Sequence, residues 1–221
     1  SVLFTAFAVG GVANAINMID GFNGLTAGVA LIMLGAFGLI ARQVGDIALA
    51  FSCLVMAASV AGFFVVNWPR GKIFLGDGGA YFLGFALAWI AVLLPERNAS
   101  VSPWTSLLIC AYPITEVGFS IYRRRFLREG YPATQPDAVH LHSLANRRWA
   151  KKLWPNASLT TQNGMTAPLL WLYALLPCSA AVFFYTSFLA TLGALVVSFV
   201  FYLLMYHKLA FFRWLPRGKQ D

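Results

Sequence analysis

Three short polar islands interrupt an otherwise oily chain, and each carries residue types able to handle a phosphate or a hard cation. The first reads Asn14-Ala-Ile-Asn17-Met-Ile-Asp20-Gly-Phe-Asn23-Gly-Leu25. Asn14 and Asn17 are one helical turn apart and project from one face. Asp20 follows at the exit of the apolar run. Asp-Gly and Asn-Gly are also ordinary turn formers, and Asn23 is a reasonable N-cap for the next helix. The turn reading does not cover the two amides inside the apolar run, because polar groups there are costly unless they have a partner or a task.

The second island runs from Asn67 to Gly78 and sets one carboxylate, Asp77, among Gly71, Gly76, Gly78 and Gly79. Glycines permit tight backbone conformations and close approach of a ligand. Such a carboxylate suits Mg²⁺, which is usually held by few protein ligands with substrate phosphates filling its shell. Asp is equally a good helix cap, and the motif alone leaves both readings open. The third island, Arg123 to Asn163, contains Arg123-Arg124-Arg125, Pro136-Asp137, His140-Leu-His142 and Arg147-Arg148. A His-x-His pair faces one way on a strand but not on a helix, and without a nearby third ligand a zinc site is not expected. Histidines beside arginines suit hydrogen bonding to phosphate oxygens, while a solvated basic loop is the structural alternative.

The elements that must position these islands are membrane helices. Hydrophobic residues make up 59% of the 221-residue chain and charged residues 11%, and the mean hydropathy is +0.70. That composition excludes an ordinary water-soluble domain. Seven apolar stretches approach bilayer-spanning length: Val2 to Met18, Leu25 to Ala41, Ile47 to Val66, Gly78 to Leu94, Pro103 to Tyr122, Ala167 to Tyr185 and Phe188 to Tyr206. The fourth is among the shortest. The expected fold is therefore an all-α polytopic transmembrane helix bundle forming one membrane domain over 1–221, with 123–163 as a substrate-binding loop. With seven crossings, one set of loops holds 14 of the Lys and Arg residues and the other only Arg42 and Arg97. Cationic loops stay in the cytoplasm, which predicts an outer N-terminus, a cytoplasmic C-terminus and all three islands on the cytoplasmic face. The net charge of +8 then needs no nucleic-acid partner. Cys53, Cys110 and Cys178 lie singly in apolar stretches, where small buried packing residues are the default. The chain opens inside an apolar stretch, so an upstream segment is expected.

Taken together and in order, the islands resemble the polyprenyl-phosphate N-acetylhexosamine-1-phosphate transferase family, glycosyltransferase family 4. The resemblance rests on Asn14-x-x-Asn17-x-x-Asp20-Gly-x-x-Gly-Leu25, Phe74-Leu-Gly-Asp77-x-Gly, Pro113 with Glu116 and the following arginines, and Pro136-Asp137-x-x-His140-Leu-His142. It implies transfer of a sugar-1-phosphate from a UDP-sugar to a polyprenyl phosphate, with release of UMP, at a bacterial inner membrane. The product would start a lipid-linked envelope glycan such as O antigen. It also implies a Mg²⁺ or Mn²⁺ cofactor and admits a homodimer. By resemblance Asp77 is the principal metal ligand, assisted by Asn17, and Asp77 and Asp20 are the catalytic carboxylates. Asn14, Asp20 and Asn23 would shape the nucleotide and metal side, and His140 and His142, with Arg123 or Arg124, would hold pyrophosphate or sugar. Ala80, Ser143, Glu116 and Asn23 depart from residues common in the family, which bears on donor identity more than on reaction class. The family also uses an upstream Asp-Asp pair that this chain lacks, so the chain alone is expected to be inactive. The rival reading is a transporter or flippase of lipid-linked or phosphorylated sugars, and a catalytically dead scaffold is a third. Acidic residues other than Glu116 fall at or beyond the ends of apolar stretches, against transport.

Overall fold

The computed structural model describes residues 2–127 and 139–211. Among these residues every regular element is helical. The helices are α1 (Val2–Ile19), α2 (Leu25–Gln43), α3 (Ile47–Asn67), α4 (Gly76–Arg97), α5 (Pro103–Ile109), α6 (Ala111–Tyr122), α7 (Leu141–Ala145), α8 (Lys151–Leu153), α9 (Leu159–Gly164), α10 (Ala167–Phe184) and α11 (Phe188–Phe211). Wider π-type turns extend α6 through Arg123–Leu127 and join α7 to α8 through Asn146–Ala150.

All seven apolar stretches are helical, but they are not seven equal spans. Among the described residues five helical runs are long and apolar enough to cross a bilayer: α2, α3, α4, α11 and the run Leu159–Phe184. The fifth stretch, read from sequence as one span, is two helices bent by 77°. Pro113 explains the break. A proline inside a helix crowds the carbonyl four residues earlier and donates it no hydrogen bond; that carbonyl is Ile109, and it accepts from the Cys178 thiol at 3.5 Å instead. The fourth stretch, among the shortest in the sequence reading, is a 22-residue helix that begins at Gly76.

α2 forms the centre, with 67% of its apolar window buried against only 17% for α3 and for α11. Residues from α2 such as Leu25, Val29, Met33, Phe37 and Ile40 are fully enclosed. α3 and α11 turn Phe51, Leu54, Val65, Leu189, Val197 and Leu204 outward, each more than half exposed. A soluble protein rarely leaves so much apolar surface in contact with water. Lipid is the solvent that such a girdle fits, and helices satisfy their own backbone groups within it. At the end of the bundle away from Asp77, Asp46 caps α3 by accepting from the Leu49 amide at 3.1 Å. It also takes two hydrogen bonds from Arg97, at 2.8 and 3.0 Å, tying the α2–α3 turn to the end of α4.

The contact that matters most for function is between α1 and α4. Gly84 lies so close to α1 that an added Cβ would sit 2.7 Å from the Ala13 Cα. Asp77 is seven residues before Gly84 and Asp20 seven after Ala13. At 1.5 Å per residue each is about 10.5 Å from that crossing, and because the helices run in opposite directions both displacements point the same way. The register of one close-packed pair therefore delivers the first two islands to one end of the bundle.

Candidate functional site

Asp20 lies within electrostatic reach of the Asp77 carboxylate. Asp20 is half-buried just past the end of α1, and its pKa is raised from 3.8, mainly by burial; the Asp77 charge adds to the shift and the nearby Thr26 hydroxyl partly offsets it. Asp77 is exposed in the first turn of α4, one residue inside the helix start. Leu75, not Asp77, occupies the N-cap position. In the first turn a negative charge is favoured by the helix dipole, and the carboxylate remains open to solvent. Asn14 is exposed and Asn17 half-buried on the preceding two turns of α1.

Asn23 has a different setting. It does not cap α2, because Gly24, with φ +76°, takes that position. Its side chain is buried and its amide donates to the Pro69 carbonyl at 3.3 Å, while its backbone N–H donates to Asn163 Oδ1 at 2.8 Å. Neighbouring bonds continue the same lattice. Asn67 Oδ1 accepts from the Gly24 amide at 2.6 Å, and Asn67 Nδ2 donates to the Ile73 carbonyl at 2.7 Å. Trp68 Nε1 donates to the Gly164 carbonyl at 2.8 Å and Trp171 Nε1 to the Gly24 carbonyl at 3.1 Å. These bonds fix the loop after α1, the loop after α3 and the turn after α9 as one unit. Gly71 must be glycine here: its φ is +60°, and a Cβ would meet the Asn23 amide at 2.6 Å.

The third island joins the first through His142. The ring packs edge-on to Phe22, with centroids 5.4 Å apart, and a Cβ on Gly21 would lie 3.2 Å from His142 Nε2. His140 and His142 do face the same way. His140 is extended at the N-cap of α7 while His142 lies within it, so the backbone turn between them stacks the rings 5.2 Å apart at 14°. Arg123 is buried; its Nη1 donates to the Val139 carbonyl at 2.6 Å and to the Tyr206 hydroxyl at 2.7 Å. Arg124, one residue on, is exposed. Pro136 and Asp137 lie outside the described residues.

Sequence reading singled out neither Asn67 and Asn163, which hold the loops, nor Tyr202 and Tyr206. The two tyrosines are four residues apart on α11, and that spacing was the available signal. Glu116 was noticed as the acidic residue inside a span. It is 1% exposed and accepts from the Leu141 amide at 2.9 Å and the Tyr202 hydroxyl at 2.9 Å, with His140 Nδ1 at 3.1 Å.

Among the described residues no three His, Cys, Asp or Glu side chains gather around a common point. The mutual electrostatics of Asp20 and Asp77 nevertheless suit a hard cation, which would relieve their repulsion with oxygen donors alone. The residues present are oxygen donors of the kind that Mg²⁺ takes. A pH dependence follows. Because the folded pKa of Asp20 is raised, its contribution to stability is fully present below 3.8 and is lost as pH rises through the raised value. In metal-free buffer, Asp77→Asn should therefore reduce the fall in melting temperature over that interval. An identical pH profile in the variant would show that the two carboxylates do not communicate.

A multi-helix membrane bundle with carboxylates, amides and histidines converging at one end is the class that fold and site define. Residues 1–95, which carry Asn14, Asn17, Asp20, Asn23 and Asp77, match the model of glycosyl transferase family 4. The chain is 36% identical over 148 residues to the undecaprenyl-phosphate alpha-N-acetylglucosaminyl 1-phosphate transferase of Yersinia pestis, covering 65% of this chain and 40% of that protein. The Escherichia coli protein of the same name is 35% identical over 148 residues, with the same coverage. A probable undecaprenyl-phosphate N-acetylglucosaminyl 1-phosphate transferase of Bacillus subtilis is 34% identical over 139 residues, covering 62% of this chain and 38% of that protein. The chain thus spans about 40% of the length of these relatives.

Proposed function

We propose that this chain is part of a membrane transferase that moves a sugar-1-phosphate, of the N-acetylhexosamine class, from a UDP-sugar to a polyprenyl phosphate. The observation that carries the reading is the convergence of three separate polar islands, Asp20 beside Asp77 and His142 against Gly21, at one end of an apolar bundle. The similarity to transferases acting on undecaprenyl phosphate supports the same reaction class.

In this reading the acceptor phosphate attacks the β-phosphorus of the UDP-sugar, the bond from that phosphorus to the bridging oxygen breaks, and UMP leaves. Asp77 and Asp20, with Asn17, would hold Mg²⁺, which supplies charge neutralisation to the pyrophosphate when bound. His140 would meet a sugar hydroxyl and His142 would face anionic oxygens, with Arg124 as the exposed neighbouring cation. Asn14 lies on the open side of α1, where it can meet the nucleotide. Asn23 shapes the pocket from behind by keeping the loop in place. The excess of Lys and Arg in the loops at this end supports a cytoplasmic site, where UDP-sugars are made, and a bacterial inner membrane with O-antigen or another envelope glycan downstream would be the matching setting.

The test is UMP release by the full-length protein in membranes. Release should require the UDP-sugar, polyprenyl phosphate and divalent cation together. Equal release without the lipid acceptor would indicate hydrolysis and reject the transfer.

A further inference from the structure

Glu116 is a buried carboxylate at the meeting point of three elements: α6, which carries it, the entry to α7, and α11. Its Oε1 accepts the Leu141 backbone N–H at 2.9 Å and lies 3.1 Å from His140 Nδ1. Its Oε2 accepts the Tyr202 hydroxyl at 2.9 Å. A backbone amide is always a donor, so Oε1 is acting as an acceptor, and a carboxylate oxygen in that role has no proton to offer the ring. His140 Nδ1 must then carry the hydrogen, and Nε2 is the nitrogen left for any other partner. Two turns along from Glu116 and one turn along from Tyr202, Arg123 and Tyr206 both hydrogen-bond to the Val139 carbonyl, at 2.6 and 3.1 Å. The backbone just before His140 is thereby held as firmly as the ring. His140 in turn stacks on His142, whose Nε2 borders Gly21 beside Asp20.

We propose that Glu116 is a positioning residue that acts through His140, fixing the ring's orientation and tautomer so that Nε2 is left as the hydrogen-bond acceptor presented to a sugar hydroxyl of the substrate. This deepens the transferase reading and rests on it for its kinetic consequence, though the tautomer assignment stands on geometry alone. A carboxylate behind a functional histidine commonly fixes which ring nitrogen is protonated, and losing it typically lowers activity tenfold to a hundredfold, on the order of what is seen for partners of ligating histidines. A glutamine at the same position keeps the shape: an oxygen that still accepts from Leu141 also faces Nδ1 and keeps the hydrogen there, while the amide nitrogen meets the Tyr202 hydroxyl. A leucine removes the acceptor and leaves the hydrogen free to sit on either ring nitrogen.

The experiment compares Glu116→Leu and Glu116→Gln with wild type in the full-length protein in lipid nanodiscs. Imidazole nitrogen resonances are read by NMR, with His140 assigned by a His140→Gln spectrum, and kinetics are followed by UMP release. Glu116→Leu should lose the fixed Nδ1–H signature and drop kcat about tenfold to a hundredfold, with KM for the UDP-sugar changed by less than about threefold. Glu116→Gln, which keeps an acceptor at the Oε1 position, should recover the signature and most of kcat. Unchanged nitrogen resonances in Glu116→Leu, or a wild-type kcat, would overturn the proposal, as would a Glu116→Gln protein no better than Glu116→Leu. A wild-type protein with no transfer activity would reject the transferase reading, and the nitrogen resonances would still decide the tautomer.

Discussion

Asp77→Asn in the full-length protein is expected to cut the turnover of UMP release about a thousandfold at saturating substrate and Mg²⁺. The substitution keeps the size of the side chain and removes its charge. Asp77 is exposed in the first turn of α4, so the structural cost is confined to a lost helix-dipole interaction of about 0.3–1 kcal/mol. Loss of activity without a matching loss of melting temperature would separate a catalytic carboxylate from a structural one. Asp20→Asn should show a smaller defect in turnover and a steeper dependence on Mg²⁺ concentration, because the half-buried Asp20 is the member of the pair destabilised by the other's charge. Steady-state UMP release across a Mg²⁺ series measures both, and full activity in Asp77→Asn would remove Asp77 from the site.

Gly24→Ala is expected to be the most damaging small substitution in the loops. Gly24 has φ +76°, and a Cβ there would lie 2.5 Å from the Trp68 ring. The left-handed backbone costs an alanine about 1–2 kcal/mol, and forcing a methyl into a filled site adds about 1–3 kcal/mol. Trp68 cannot simply move away, because its Nε1 is bonded to the Gly164 carbonyl and its ring packs on Trp171 at 5.3 Å. Displacing it would disturb the bonds that Gly24 makes to Asn67 and Trp171, and with them the position of Asp20. Thermal unfolding in nanodiscs should show a clearly lowered midpoint. Gly62→Ala is the control: that glycine lies in α3 with nothing within 4 Å of an added Cβ, so helix propensity favours alanine there. Equal effects at the two positions would mean that the loop lattice does not govern stability.

The helical class and the approximate limits of α1 to α4, α10 and α11 were legible because apolar stretches of bilayer length leave few other folds open, whereas the short helices α7, α8 and α9 lie in the segment read as a loop. The break between α5 and α6 was foreshadowed by Pro113, but whether a proline kinks a helix or divides it depends on what receives the freed carbonyl, and Cys178 is 69 residues away in sequence. Asp20, Asp77 and His142 could be grouped on one face from charge distribution and motif order. Their actual approach depends on the Gly84–Ala13 crossing, and nothing in the local sequence of either helix dictates that register. Asn23 illustrates the opposite case. Its motif context suggested a substrate-facing amide, whereas its bonds to Pro69 and Asn163 come from segments 46 and 140 residues away. Long-range hydrogen bonds of that kind leave no periodic trace in a sequence.

The most direct measurement follows the β-phosphorus. With a UDP-sugar radiolabelled at that atom, polyprenyl phosphate and Mg²⁺, the full-length protein should place the label in an organic-soluble lipid pyrophosphate and release UMP without it. Label recovered as water-soluble sugar phosphate, or intact UDP-sugar carried across the bilayer with no UMP formed, would contradict the transfer reading, the latter in favour of a transporter.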